Sequence, residues 1–181
     1  MSPHEALEEI SAEYFGPRLA ESAILIPKDE LPPPFDELLV HHDHMTTCLH
    51  RYHGQPVALE VLEEQNRGDT YTRKILLTVG ETRHVVEAGV LRADLQHIPG
   101  EAREEILQHR APLGDILIRH DVLRRIEPRW FFRFDDSGPL DAAFDRPLDG
   151  SLFGRLGIIH CHDQPAIELL EVVAADRARS E

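Results

Sequence analysis

Apolar and polar residues alternate along VALEVLEEQ (57–65), TYTRKILLTV (70–79) and HVVEAGVLRADL (84–95), with the turn signals NRGD and GE between them. A period of two puts successive side chains on opposite faces of an extended chain, so the spacing predicts three strands. Connections this short require antiparallel pairing. Further on, VLRRIEPRWFFRF predicts a strand with Pro128 at a bulge or edge, and GRLGIIHCHDQPAIELLEVVA predicts a hairpin that turns near HDQP.

The pattern lengthens elsewhere. HMTTCLHRYHG predicts a helix closed by Gly54, PGEAREEILQH a helix opened by Pro99, and APLGDILIRH a second short one after Pro112. A short helix over His4 to Tyr14 precedes LIPKDELPPPFDE, whose four prolines end any regular element. Residues 1–34 therefore read as an amino-terminal arm lying on the domain, residues 35–174 as the domain itself, and 175–181 as a frayed polar tail. The fold class is α+β, an antiparallel sheet covered by helices inserted mid-chain.

Composition narrows the function classes. A length of 181 residues with 41% hydrophobic content suits one domain with a real core, and no apolar run is long enough to span a bilayer. The 19 Lys and Arg against 33 Asp and Glu give a formal charge of −14, which disfavours nucleic acid and anionic membrane as partners. A pocket ligand is unaffected, because a buried cation acts at contact range while the overall field is screened. The acidic start lacks the features of a secretory signal, and Cys48 and Cys161 form no CxxC pair, so a reducing cytoplasm is expected.

Within TYTRKILLTV, Arg73 falls on the same face as Tyr71, Ile75, Leu77 and Val79, where an unpaired charge costs several kcal/mol or more. Carboxylates that could meet it also sit in apolar strands. Glu87 shares a face with Val85, Gly89 and Leu91. Glu168 shares one with Ala166, Leu170 and Val172, and Glu171 the other with Ile167, Leu169 and Val173. Two arrangements fit: a structural Arg–Glu pair, or a pocket where Arg73 grips a ligand carboxylate while a buried Glu acts as acid or base.

Other chemistry finds little support. The twelve histidines, among them HHDHMTTCLHRYH and His160 and His162 of IHCH, lack an HExxH spacing or a clear third ligand, so no metal is expected. Neither cysteine has an activating neighbourhood, and no Walker loop, dinucleotide fingerprint or GxSxG elbow occurs. Trp130 reads as core and Arg129 as a surface charge.

HMT at 44–46, TRKILL at 72–77, APLGDIL at 111–117, GR at 154–155 and PAIELLEVV at 165–173 occur in an order that resembles the chorismate lyase superfamily, over about Phe35 to Ala174. The likeness is to the bacterial and archaeal branch related to the chorismate pyruvate-lyase that forms 4-hydroxybenzoate. It implies an antiparallel sheet with helices on one side and an enclosed ligand cavity. It also implies that Arg73 pairs with the ligand carboxylate, that Glu168 reaches the ring hydroxyl and moves a proton, and that the backbone around Met45, Thr46, Leu113 and Gly114 completes the carboxylate site and flap. Glu87 joins this set from strand alternation alone. The implied reaction eliminates enolpyruvate from chorismate to give pyruvate and an aromatic hydroxy acid, without metal or cofactor. Another elimination, dehydration or cyclisation is the alternative. A non-catalytic sensing domain is a third reading, for which the segment before Phe35 is too short and acidic to be a helix-turn-helix.

Overall fold

A computed structural model of the chain describes residues 1–135 and 138–177. The first element, α1 (Pro3–Phe15), is set by a capping box: the Glu5 N–H donates to Ser2 Oγ at 3.2 Å and the Ser2 N–H to Glu5 Oε2 at 2.6 Å. It is followed by α2 (Arg18–Ser22) and a three-residue strand, β1 (Ile24–Ile26). The proline-rich segment leads into α3 (Phe35–Leu39) and then α4 (Met45–His53), which ends at Gly54 with φ 69°. Gly54 supplies the left-handed residue that closes a helix without a Cβ penalty.

The alternating segments pair as their short connections require. Strands β2 (Val57–Arg67), β3 (Thr70–Val79) and β4 (His84–Asp94) form an antiparallel meander. Helices α5 (Gly100–Leu107) and α6 (Leu113–Arg119) are each entered through a proline. Strand β5 (Arg124–Phe134) follows, with its expected irregularity at Pro128 to Trp130 where it pairs with β6. Then come a short α7 (Pro139–Ala143) and the hairpin β6 (Leu152–Cys161) and β7 (Gln164–Val173). The sheet has seven strands in the order β1-β5-β6-β7-β4-β3-β2, every neighbouring pair antiparallel. The α+β antiparallel architecture expected from the sequence is the one observed.

Both faces of the sheet are covered. The arm supplies one cover: Leu7, Ile10 and Tyr14 of α1 pack with Leu76, Val90, Leu170 and Val172 of the central strands. Expecting helices on one side describes α3 to α6, which lie on the other face; α1 adds the second layer. On that other face Ile106, Ile116 and Leu117 of α5 and α6 meet Leu91 and Ile167, while Leu38, Leu39 and Leu49 of α3 and α4 meet Leu77, Val86 and Val173. These are two separate clusters, and the ground between them is the site. The tail expected at 175–181 lies partly outside the described residues; within them Asp176 accepts from Arg146 at 2.6 and 2.8 Å. No described helix is long and apolar enough to cross a membrane.

Candidate functional site

Arg73 is a buried cation, 1% exposed at the middle of β3 opposite Leu91 of β4. Its Nη1 donates to the Ile106 carbonyl of α5 at 3.1 Å. Burial pulls its pKa below the ordinary arginine value, while neighbouring Tyr71 and Glu64 oppose that shift. Tyr71 donates its hydroxyl to Glu64 Oε2 at 2.6 Å, which anchors that carboxylate beside the arginine. Arginine Nε, however, is buried and has no hydrogen-bond partner among the described residues. The sequence offered a salt bridge or a ligand clamp. No ion pair to Arg73 forms among the described residues.

The guanidinium lines a cavity instead. Its space between atoms is about 480 Å³ counting the mouth, and about 50 Å³ of it is open to the centre of a water molecule. That suffices for a few waters or a small anion as the walls stand. Arg73, Glu87 and Glu171 enter from β3, β4 and β7, while Met45 and Thr46 at the start of α4 and Leu113 and Gly114 at the start of α6 close it from above. These two helix starts are in close contact: a Cβ on Gly114 would fall 2.7 Å from Thr46 Oγ1 and 2.8 Å from His44 Cβ. Only glycine lets α6 approach this far. Thr46 Oγ1 is buried without a hydrogen-bond partner, as is Glu87 Oε2. Three residues that line the cavity thus each carry a buried polar atom unsatisfied among the described residues, an arrangement that is costly unless something else meets them.

The carboxylates differ in state. Glu87 is 2% exposed, and desolvation together with the charge on Glu171 holds its pKa well above the carboxylate range, against the opposing pull of Arg155. Its surroundings thus favour the neutral, protonated form. Glu171 has a cation of its own, since Arg155 Nε donates to its Oε2 at 2.6 Å from the facing position on β6. Arg155, 1% exposed, also donates to the carbonyls of Leu39 at 3.1 Å, His41 at 2.9 Å and Asp43 at 3.3 Å. It therefore ties the segment entering α4 to the sheet. Leu91, opposite Arg73, is four residues from Glu87 along β4, so Arg73 and Glu87 sit about 14 Å apart at Cα by ~3.3 Å per residue and ~4.8 Å between strands. The cavity has a cation at one end and, at the other, a carboxyl group whose neutral form burial favours.

Glu168 is not brought to this cavity. It lies on the opposite face of β7, 44% exposed, paired with Arg92 directly across on β4, and Arg92 also binds Glu9 of α1 at 2.9 Å. The physical reason is the strand period: residues 168 and 171 differ by an odd step and must face opposite ways. Glu171 takes the inward position of the ELLE segment. The sequence held the signal, because Glu171 shares a face with Leu169, but only the register that pairs Leu91 with Leu169 ties that face to Arg73. Arg155 had no such signal beyond its place in the GR motif. Of the remaining expectations, His160 pairs with Glu127 at 2.8 Å and His162 occupies the β6–β7 turn at φ 50°. Both cysteines are buried, and burial raises their pKa values, Cys161 to about 11.

His44 stands at the lip. It is 7% exposed, and burial with the charges of Arg124 and Arg155 pushes its pKa down to about 4. The ring is neutral near pH 7, and Nε2 accepts from Arg124 Nε at 2.7 Å.

No family model matches the sequence. No curated protein matches it either. Solved structures do resemble the fold. PhnF from Mycobacterium smegmatis superposes with a TM-score of 0.57 at 13% identity, covering 77% of this chain and 67% of that one. The ligand-binding domain of a GntR-family transcriptional regulator from Bordetella bronchiseptica gives 0.52 at 14% identity, covering 69% of this chain and 90% of that one. At such identities the likeness is one of fold.

Proposed function

We propose that the chain is a small-molecule-binding domain whose cavity takes an organic carboxylate, gripped by Arg73, and that binding rather than turnover is its task. The observation that carries this reading is that Arg73, which lines a cavity, has a buried Nε with no partner among the described residues. A carboxylate would supply the missing acceptor through a charge-assisted bond, the strong kind. The fold neighbours include a domain titled ligand-binding and belonging to a transcriptional regulator, which favours sensing over chemistry. In a regulator of that kind, contact with nucleic acid would fall to a separate part, since this domain is strongly acidic.

The span from Arg73 to Glu87 suits an acid with one small ring or a short chain, with a neutral oxygen at its far end to accept from the Glu87 carboxyl. Thr46 and the start of α4 lie between. A thermal-shift panel of aromatic and aliphatic carboxylates on wild type and Arg73→Met tests the reading. Stabilisation by at least one acid, lost in Arg73→Met, is expected. Stabilisation that survives the substitution would overturn it.

An elimination of the chorismate lyase type is the second reading, and one observation favours it: Glu87 lines the cavity with a buried carboxyl group whose pKa burial raises, the kind of group that gives or takes a proton. Glu168 is excluded from that role by its face of the sheet. Incubation with chorismate, followed for pyruvate and 4-hydroxybenzoate, separates the readings. Turnover lost in Glu87→Gln would replace the sensor with the lyase.

A further inference from the structure

Outside the His44 lip lies a second and larger hollow, about 1050 Å³ of atom-free space counting its open side. It is lined by His42, Asp43, His44, Thr47, Arg124 and Arg125 with Ile118 and Ile126, and His44 belongs to its wall and to the wall of the Arg73 cavity alike. His44 is thus common to the walls of both spaces. Its imidazole is held by Arg124, whose Nε donates to it and whose Nη1 donates to the Val122 carbonyl at 3.2 Å.

The charged groups of the hollow are not equivalent. Asp43 faces Arg51 at 4.0 Å, and Arg125 is paired with Glu127 at 3.3 Å. Among the described residues Arg124 makes no ion pair, and its hydrogen bonds run from Nε and Nη1. In a chain of formal charge −14, a cation without a carboxylate beside a concave surface is a place for an external anion. Its apolar neighbours Ile118 and Ile126 offer a wall for a hydrocarbon linker.

We infer that the outer hollow is the second half of the ligand site, so that the ligand is an elongated dianion with a carboxylate on Arg73 inside, a slender middle passing His44, and a second anionic group on Arg124 outside. This rests on the proposed carboxylate at Arg73 and extends it. It resolves a mismatch of size: the inner cavity holds only a few waters as it stands, while the outer hollow has ample room. An anion on Arg124 competes with His44 for the guanidinium, so arrival of the outer group frees the imidazole to swing from the lip.

Calorimetric titration with 4-alkoxybenzoates tests this. One series ends in a carboxylate after about one to five methylenes, and its partner series ends in the methyl ester. For the best spacer, the dianion binds wild type about ten-fold or more tighter than its ester. In Arg124→Met that margin falls to about two-fold or less. Arg124→Lys keeps the charge and retains part of the margin, which separates charge from folding. Esters that match the dianions at every spacer, or a margin that survives Arg124→Met, would overturn the inference. Failure of every acid to bind would instead overturn the Arg73 reading, and the outer subsite with it.

Discussion

Glu171 and Glu87 face one cavity from adjacent strands, and Arg155, 2.6 Å from Glu171, gives a cation to only one of them. Two carboxylates that share a site cannot both ionise cheaply, and here the cation decides which stays charged. Glu171 is the one paired with Arg155, and Glu87 the one whose neutral form burial favours. The wall opposite Arg73 therefore carries a hydrogen-bond donor.

This division has a consequence for stability. The folded-state pKa of Glu87 lies above that of the unfolded chain, so the folded protein holds a proton that the unfolded chain gives up as pH rises past ~4.3. Stability from this group is complete below that value and is lost as pH rises toward the folded pKa, at up to about 1.4 kcal/mol per pH unit. Glu87→Gln removes the loss. Urea unfolding from pH 5 to 8 is expected to show the variant gaining on wild type as pH rises; a constant difference would contradict the assignment.

Removing Arg155 leaves Glu171 charged and buried and three carbonyls of the α3–α4 segment without their donor. Arg155→Ala is expected to cost about 3–5 kcal/mol in chemical denaturation. The double variant Arg155→Met with Glu171→Leu, which removes both charges, recovers much of that loss.

Gly114 of the cavity wall and Gly89 of β4 differ in what surrounds them. A Cβ on Gly89 would fall 2.6 Å from the Leu170 carbonyl oxygen, which is backbone of the central strand β7 and cannot move alone. At Gly114 it would meet the side chains of Thr46 and His44. Both Gly→Ala changes destabilise, by about 1–3 kcal/mol at Gly114 and more at Gly89. Melting temperatures give the order, and only the Gly114 variant changes ligand affinity strongly by displacing the lip.

Glu168→Ala removes a half-exposed partner of Arg92 on the far face of the sheet. It is expected to leave ligand affinity unchanged and to cost about 0–1 kcal/mol of stability. A variant that lost binding while still folded would restore the last-strand role drawn from the family resemblance.

Much of this fold was legible because period-two alternation and proline or glycine boundaries were local signals: β2 to β4, the β6–β7 hairpin, α4 to α6 and the β5 bulge follow from them. The three-residue β1, paired with β5 through Ile24 and Arg133, was not, since too short a run has no period. The site divided the same way. Arg73 was visible as a cation on an apolar face, and Glu87 as an acid on another. Choosing between Glu168 and Glu171 required knowing which face of β7 joins that of β3, and register is a long-range property. Arg155 and His44 act through carbonyls and a guanidinium supplied by distant segments, which no local pattern announces.

The central claim is that Arg73 Nε waits for a carboxylate. Arginine-selective proton–nitrogen NMR reads that group directly, with the Arg73 signal assigned by its loss in Arg73→Met. Titration with the acid that most raises the melting temperature is expected to move the Arg73 Nε–H resonance downfield in a saturable way, as a charge-assisted bond forms. Saturable binding that leaves this resonance in place would contradict the account.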